Sequence, residues 1–200
     1  MLDRRRALDA IQLDRSVEAV VITGEGDDAC SAGADITEYA GPSEEHDPLQ
    51  KQRQDLFYEM YRKPLDCHAP VIAKINGYCV GGGLIVAMYC DIRVAVEDAE
   101  FGVPVTDIGQ IPTGGSTRRA IELVGEAKAK ELVYTAGYLG AEEAESIGLI
   151  NHAVPCDELD STVDGIVEGI TETGTNAVKN SKRALNYGPQ ASNLVDARAF

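Results

Sequence analysis

The sequence contains few basic side chains for its size. Its 18 lysine and arginine residues stand against 33 aspartate and glutamate residues, which gives a formal net charge of −15 at pH 7. A surface with this excess of negative charge repels the phosphates of nucleic acids and of anionic membranes. The composition therefore argues against partners of either kind. The acidic residues are spread along the chain, which is typical of a solvated surface and agrees with a halophilic, salt-rich cytoplasm.

Long apolar segments are also missing. No apolar run approaches the roughly 18–20 residues that a membrane-spanning helix needs, and no charged-then-apolar signal segment opens the chain. From these absences we expect a cytoplasmic protein that does not enter the membrane.

The usual sequence patterns of disulfide, metal and hydrolase sites are absent. The five cysteines form no C-x-x-C pair, and Cys79 and Cys90 lie within apolar stretches, so we expect small buried side chains rather than disulfides or zinc ligands. His46, His68 and His152 stand alone without metal-binding spacing, which predicts no metal site. No G-x-S-x-G motif surrounds a serine, so a hydrolase triad has no support.

Segments typical of strands and helices alternate along the chain without a linker. The predicted strands are Val17–Thr23, Pro70–Gly77, Ile92–Val96, a short one at Ala99–Val103, and Leu149–Val154. The predicted helices cover residues 1–13, 50–62, 84–90, 116–123, 126–135, 141–147, 157–172 and 176–185. Residues 24–35 and 41–48 are predicted as loops. This order indicates an α/β fold with parallel strands, in one domain over 1–200 with a core over about 1–155 and a C-terminal helical part over about 156–200.

Two segments point to chemistry. Small residues from Ala32 to Ile36 follow the first strand, and Gly81–Gly83 opens a helix directly after the second. Glycines at a helix start expose free backbone N–H groups at the positive end of the helix dipole, which suits an anion or a carbonyl oxygen that becomes one. A second N–H from the Ala34 loop would complete an oxyanion hole.

Taken together, these segments resemble the enoyl-CoA hydratase/isomerase (crotonase) family. The A-G-A-D loop closes the first similar block, and P-V-I-A-x-I-N-G-Y-x-x-G-G-G opens the second. The third block carries A-x-F-G-x-P followed by G-x-I-P-x-G-G-S-T. The similar blocks span 20–36, 70–91, 99–117, 143–151 and 177–185.

The resemblance implies a fold of repeated ββα units, assembled as homotrimers or hexamers, that acts on acyl-CoA thioesters. CoA is then part of the substrate, and no further cofactor is expected. The family's two oxyanion-hole donors fall on the backbone N–H groups of Ala34 and Gly82. The other positions on the substrate side of the site are Ala32, Asp35, Ile36, Gly81, Gly83, Ile85 and Val105.

The sequence departs from the hydratases at both catalytic glutamates. In those enzymes one glutamate lies two residues after the triple glycine and the other follows the F-G-x-P motif; here the positions hold Ile85 and Val105. Neither side chain can transfer a proton. Asp107 and Thr113 are the candidate substitutes as acid, base or polar group. As alternatives, Asp107 is a solvated carboxylate, and Thr113 caps the helix that begins near Gly114.

Three kinds of function therefore stay open: a hydratase, isomerase or thioester hydrolase; a non-catalytic acyl-CoA-binding subunit; and an α/β interaction protein. Tyr78, Tyr134 and Tyr138 are predicted to be packing groups, and the alternative is a tyrosine that donates a hydrogen bond to a bound acyl group. Relative to the family pattern, the chain begins after the usual first hairpin and stops before the usual terminal helices. We therefore expect a fold shortened at both ends.

Overall fold

Two four-stranded sheets form the centre of the fold in the computed structural model, which describes residues 2–26, 29–33 and 48–188. The first sheet has the strand order β1-β3-β5-β8, and all its neighbours are parallel. The second has the order β2-β4-β6-β7, and only its last pair is antiparallel. The predicted α/β architecture with parallel pairing is thus confirmed.

The elements follow one another in alternation. The strands are β1 Val20–Thr23, β2 Ala29–Ser31, β3 Val71–Ile75, β4 Tyr78–Val80, β5 Ile92–Val96, β6 Glu100–Gly102, β7 Tyr138–Gly140 and β8 His152–Val154. The helices are α1 Leu2–Leu13, α2 Pro48–Asp66, α3 Gly82–Tyr89, α4 Ser116–Thr135, α5 Ala141–Ser146, α6 Leu159–Glu172 and α7 Thr175–Tyr187. Short 3-10 helices cover Pro104–Ile108 and Cys156–Glu158.

The core is built around α3 and the middle strands of the first sheet. Every residue from Gly83 to Tyr89 in α3 is buried, and β3 and β5 are buried along almost their whole length. A strand that is covered on both faces needs a continuous apolar run, and a helix that is apolar all round must lie inside the protein. Cys79 and Cys90 are buried within this core, as predicted.

Two arginines, the buried Arg93 and the half-buried Arg119, hold the carboxyl end of α3 in place. The Arg93 guanidinium donates to the carbonyl oxygens of Cys90 at 2.7 Å and Leu149 at 2.7 Å, and Arg119 Nε donates to Met88 O at 2.8 Å. Burial lowers the pKa of Arg93 to about 10, so the side chain stays charged at neutral pH. These bonds satisfy carbonyls that a helix end leaves without partners, and they fix the helix that carries Gly82.

The longer elements agree with the sequence prediction, whereas three short strands were missed. The predicted break near residue 125 corresponds to a kink at Gly125 in α4, where φ is 79°. The predicted loop at 24–35 contains β2, the predicted turn after β3 contains β4, and β7 was not anticipated. Strands of three residues carry no readable period of their own, because pairing with neighbouring strands defines them.

Two further predictions concern the membrane and a loop. Among the described residues, no helix is long and apolar enough to cross a membrane. The loop predicted at 41–48 lies outside the described residues, except for Pro48, which begins α2.

Candidate functional site

A cavity of about 360 Å³ opens where the carboxyl ends of β2 and β4 face the 3-10 helix Pro104–Ile108. The carboxyl ends of parallel strands are a common place for ligands in α/β proteins. Seven of the residues that the sequence assigned to a site line this one cavity: Ala32, Gly81, Gly82, Ile85, Val105, Asp107 and Thr113. The structure therefore brings together segments that are up to 81 residues apart, from Ala32 to Thr113.

The start of α3 presents a free backbone donor to this cavity. Gly81 precedes the helix with φ 54° and ψ −125°, a conformation that favours glycine, and its N–H donates to Gly102 O at 2.8 Å. Ile85 N–H donates back to Gly81 O at 3.1 Å. Within the described part of the chain, Gly82 N–H has no acceptor. It lies at the positive end of the helix dipole and can donate to an oxygen atom of a ligand.

Two glycines explain how the loop after β2 reaches the start of α3. Gly33 has φ 94°, and a Cβ atom built there would lie 3.2 Å from Gly82 N, so its backbone runs directly beside the helix start. A Cβ atom on Gly83 would lie 2.5 Å from Ser31 Cβ, which leaves no room for a side chain. Gly83 therefore packs against β2, and its predicted place on the substrate side is a packing position.

Three predicted site residues lie outside the described residues: Ala34, Asp35 and Ile36. The described segment ends at Gly33, in contact with Gly82. The role of Ala34 as second donor therefore stays a prediction.

Tyr61 is a cavity residue that the sequence analysis missed. Its side chain is only 4% exposed, stacks on Phe57 with ring centroids 6.1 Å apart, and reaches the cavity from α2. Its hydroxyl would lie 2.8 Å from a Cβ atom on Gly82, and its ring 2.3 Å from one on Gly114. The absence of side chains at both glycines makes room for this tyrosine. The P-T-G-G-S motif, which contains Gly114, indicates a close contact at this position, but the sequence does not show that Tyr61 makes it.

Asp107 is the one carboxylate among the described residues that line the cavity. It lies in the 3-10 helix two residues after Val105 and is exposed to solvent. Ile85 is buried and Val105 half-buried, and both present aliphatic side chains to the same space. The described part of the cavity thus combines one carboxylate with an apolar wall.

The alternative role for Thr113 as a helix cap was wrong. Gly115 precedes α4 in the left-handed conformation, and no side chain caps this helix end. The Thr113 carbonyl instead accepts hydrogen bonds from Ser116 N–H at 3.2 Å and from Ser116 Oγ at 2.7 Å. The threonine side chain is exposed and remains beside the cavity.

The mouth of the cavity is apolar and aromatic. Ile108 and Ile111 line it and are 52% and 77% exposed. Tyr138 also lines it and is 53% exposed. Such a rim suits a ligand with an apolar part.

The Tyr138 ring lies against Gly102, where a Cβ atom would be 3.0 Å from it, so this tyrosine packs as predicted and also lines the cavity. Tyr78 and Tyr134 are 52% and 75% exposed and do not line the cavity. For Tyr78 and Tyr134 the packing role stays a prediction.

No group of three or more histidine, cysteine, aspartate or glutamate side chains within the described ranges is arranged to hold a metal ion. The described residues that line the cavity offer backbone donors, one carboxylate, and hydroxyl and amide groups.

Comparison with known proteins gives consistent matches along the chain. The family described as enoyl-CoA hydratase/isomerase matches residues 2–200. A short-chain-enoyl-CoA hydratase of Clostridium acetobutylicum is 39% identical over 191 residues, which are 95% of this chain and 71% of the relative. A crotonyl-CoA hydratase of Syntrophomonas wolfei is 39% identical over 204 residues, covering 100% of this chain and 77% of the relative.

Solved structures agree with the sequence relatives. The crystal structure of an enoyl-CoA hydratase from Bacillus anthracis superposes with a TM-score of 0.87 at 33% identity, covering 96% of this chain and 76% of that one. The structure of Pseudomonas aeruginosa DspI superposes with a TM-score of 0.86 at 28% identity, covering 98% and 78%. The sequence comparison and the structural comparison thus both find enoyl-CoA hydratases among the similar proteins.

Proposed function

Because this chain belongs to the enoyl-CoA hydratase/isomerase family and is an enzyme of that family, we propose that it binds an acyl-CoA thioester with the thioester carbonyl oxygen at Gly82 N–H. The observation that carries this proposal is the free Gly82 donor at the start of α3, facing a cavity with an apolar wall. A donor held in place before the reaction stabilises the negative charge that develops on the oxygen.

The proposed second donor is Ala34 N–H. Support comes from the contact between Gly33, the residue before Ala34 in the sequence, and Gly82 at the helix start. Two N–H groups on one oxygen would favour an enolate over the neutral thioester, and each such donor contributes about 3–4 kcal/mol to transition states of this kind.

The proposed proton-transfer group is Asp107. Adding water across a double bond requires one group to take a proton from water and another to deliver a proton to carbon, whereas moving a double bond needs one base that removes a proton and returns it. With Ile85 and Val105 unable to do either, the single carboxylate among the described lining residues favours double-bond isomerisation of an enoyl-CoA. Hydration is the second candidate, since the relatives named above are hydratases.

One assay distinguishes the two reactions. Isomerisation of a β,γ-unsaturated thioester such as 3-hexenoyl-CoA creates the absorbance of the conjugated thioester, and hydration of crotonyl-CoA removes it. We expect the first reaction to exceed the second in kcat/KM. Hydration as the faster reaction would overturn the assignment to Asp107, and binding of both thioesters without turnover would identify a non-catalytic acyl-CoA-binding subunit.

Replacement of Asp107 by asparagine is expected to reduce kcat for isomerisation by about 10²–10⁴-fold, the usual contribution of a general base. KM and the thermal unfolding midpoint should stay close to those of the wild type, because Asp107 is exposed. Asp98→Asn, an exposed carboxylate outside the cavity, is the matched control. Equal activity of the two variants would assign Asp107 to the solvated surface.

Replacement of Tyr61 by phenylalanine is expected to reduce kcat/KM by about 10–100-fold, since a hydrogen bond to a charged oxygen contributes about 1.5–3 kcal/mol. The hydroxyl lies beside Gly82, where the thioester oxygen is proposed to bind. Tyr58→Phe, one turn earlier on α2, is the control, because the Tyr58 hydroxyl accepts from Arg62 instead. A similar loss in both variants would indicate a general effect of α2 on stability.

Three further features remain proposals. The family resemblance supports a homotrimer or hexamer that needs no cofactor beyond the CoA of its substrate. The composition, with its net charge of −15, supports a salt-adapted protein of the cytoplasm. Gel filtration with light scattering, in low and in high salt, measures the oligomeric state and its dependence on salt.

A further inference from the structure

A second cavity lies before the amino-terminal ends of β1 and β3, and it is distinct from the cavity lined by Gly82 and Asp107, here called the acyl cavity. It measures about 270 Å³ and is bordered by the loop that leads to β1, the segment that leads to β3, and α7. The acyl cavity lies beyond the carboxyl ends of β2 and β4, so the two share no lining residue. The mechanism proposed above makes no use of this second cavity.

The second cavity has the opposite charge balance from the rest of the chain. Arg15, Lys182 and Arg183 line it, against the single carboxylate of Asp66. The whole chain has 18 basic and 33 acidic residues. A concentration of cations in a concave surface of an acidic protein attracts anions locally.

The two arginines are available to a ligand, whereas the lysine is not. Lys182 Nζ is buried and bonded to Asp91 Oδ2 at 2.7 Å, Pro64 O at 2.8 Å and Ala69 O at 2.9 Å. Within the described ranges, the guanidinium groups of Arg15 and Arg183 have no hydrogen-bond or ion-pair partner.

The carboxylate of the second cavity is already engaged. Asp66 accepts a hydrogen bond from the Tyr187 hydroxyl, and its Oδ1 atom lies 3.6 Å from Arg62 Nη2. It therefore offsets the two arginines only in part, and the cavity retains its positive charge.

The pKa of His68 reports the charge of this cavity. His68 lines the cavity, is 8% exposed, and holds Nδ1 at 3.0 Å from Gln12 Oε1. Its pKa is lowered by burial and then by the positive charge of Lys179, with smaller effects from Arg15 and Lys182, whereas a hydrogen bond with the Val17 backbone raises it. Asp14 is the nearby carboxylate. The field at the imidazole is thus positive despite the negative charge of the chain.

We propose that this cavity binds a phosphate group, with Arg15 and Arg183 donating to its oxygen atoms. Guanidinium groups present paired N–H donors that match the oxygens of phosphate, and an anion would relieve the repulsion among the cations. The inference goes beyond the proposed function, because the site is separate from the acyl cavity and takes a ligand of different chemistry.

The test is a titration of the histidine ring signals by NMR on the full chain. Sodium phosphate and glycerol 3-phosphate are added separately, with sodium chloride at matched ionic strength as reference. We expect a saturable shift of the His68 signals with a Kd of about 1 mM or tighter, and a rise in the pKa of His68, since a bound dianion favours the imidazolium form. His152, which does not line the cavity, should not respond. Response to both compounds assigns a phosphorylated ligand, and response to inorganic phosphate alone assigns the free ion.

Two double variants, each lacking two positive charges, test whether Arg15 and Arg183 form the site. Arg15→Gln/Arg183→Gln should raise the Kd at least tenfold, while Arg118→Gln/Lys130→Gln, which removes two exposed charges from α4, should change it less than twofold. Both arginines of the cavity are exposed, so the first double variant should keep the wild-type unfolding midpoint. Equal effects of the two double variants, or no saturable response of His68 in the wild type, would overturn the proposal.

Discussion

Replacement of Gly82 by valine is expected to abolish binding of acyl-CoA thioesters and to reduce kcat/KM by at least about 10²–10³-fold, the loss that follows removal of one oxyanion-hole donor. A Cβ atom at this position would lie 2.8 Å from the Tyr61 hydroxyl, closer than atoms can approach without movement. The branched side chain would also occupy the space in which the thioester oxygen meets the backbone N–H. The measurement is titration with a non-reactive acyl-CoA together with kcat/KM for turnover.

The control for this substitution is Gly140→Val. Gly140 precedes α5 in an extended conformation with φ −74°, and a Cβ atom there meets nothing within 4 Å. Both variants add the same branched side chain, so a loss confined to position 82 comes from the site. Gly82→Ala in a Tyr61→Phe background removes the hydroxyl nearest to the new Cβ atom and keeps the test usable if valine disturbs folding. Undiminished thioester binding by a folded Gly82→Val variant would refute the assignment of the donor.

Replacement of Ile85 and Val105 together by glutamate is expected to raise the rate of crotonyl-CoA hydration by at least about 100-fold over the wild type, since a positioned general acid or base contributes about 10²–10⁴-fold. Both side chains line the cavity that contains Gly82 N–H. Two carboxylates at these positions could hold one water molecule and move its protons. The measurement is the loss of absorbance of the conjugated thioester.

The gain in hydration carries a cost in stability. Ile85 is 4% exposed, so an introduced carboxylate loses hydration, and we expect the free energy of unfolding to fall by about 1–3 kcal/mol. Burial also raises the pKa of a carboxyl group, so the hydration rate should rise with pH as that group ionises. The two single variants are the controls, and each should hydrate much more slowly than the pair. A folded double variant that binds crotonyl-CoA without hydrating it would show that water is not held between these positions.

Much of the fold could be predicted because its longer elements carry their own pattern. Strand β5 was predicted at its observed bounds, and the apolar α3 was placed within two residues of its start. The predicted break between the helices 116–123 and 126–135 is observed as the kink at Gly125. Apolar periodicity over many residues reports burial directly, so such elements can be read without knowledge of their neighbours.

The parts that were missed depend on contacts distant in sequence. Strand β2 was hidden in a loop because only its pairing with β4 makes it a strand. Tyr61 lies 21 residues before Gly82 on another element, and nothing in its own neighbourhood predicts contact with two glycines. The second cavity combines Arg15 with Arg183, which lie near opposite ends of the described chain.

Sequence patterns alone indicate the α/β class, the glycine-rich start of α3, and aliphatic residues at positions 85 and 105, where the family resemblance leads one to expect glutamates. These are local properties, since each depends on residue type within a short stretch. Packing between distant segments brings Asp107, Tyr61 and Gly82 to one cavity, places Gly83 against β2, and gathers scattered cations in a second cavity. The physical reason is that the approach of distant segments follows from how helices and strands pack, which residue type and spacing do not specify.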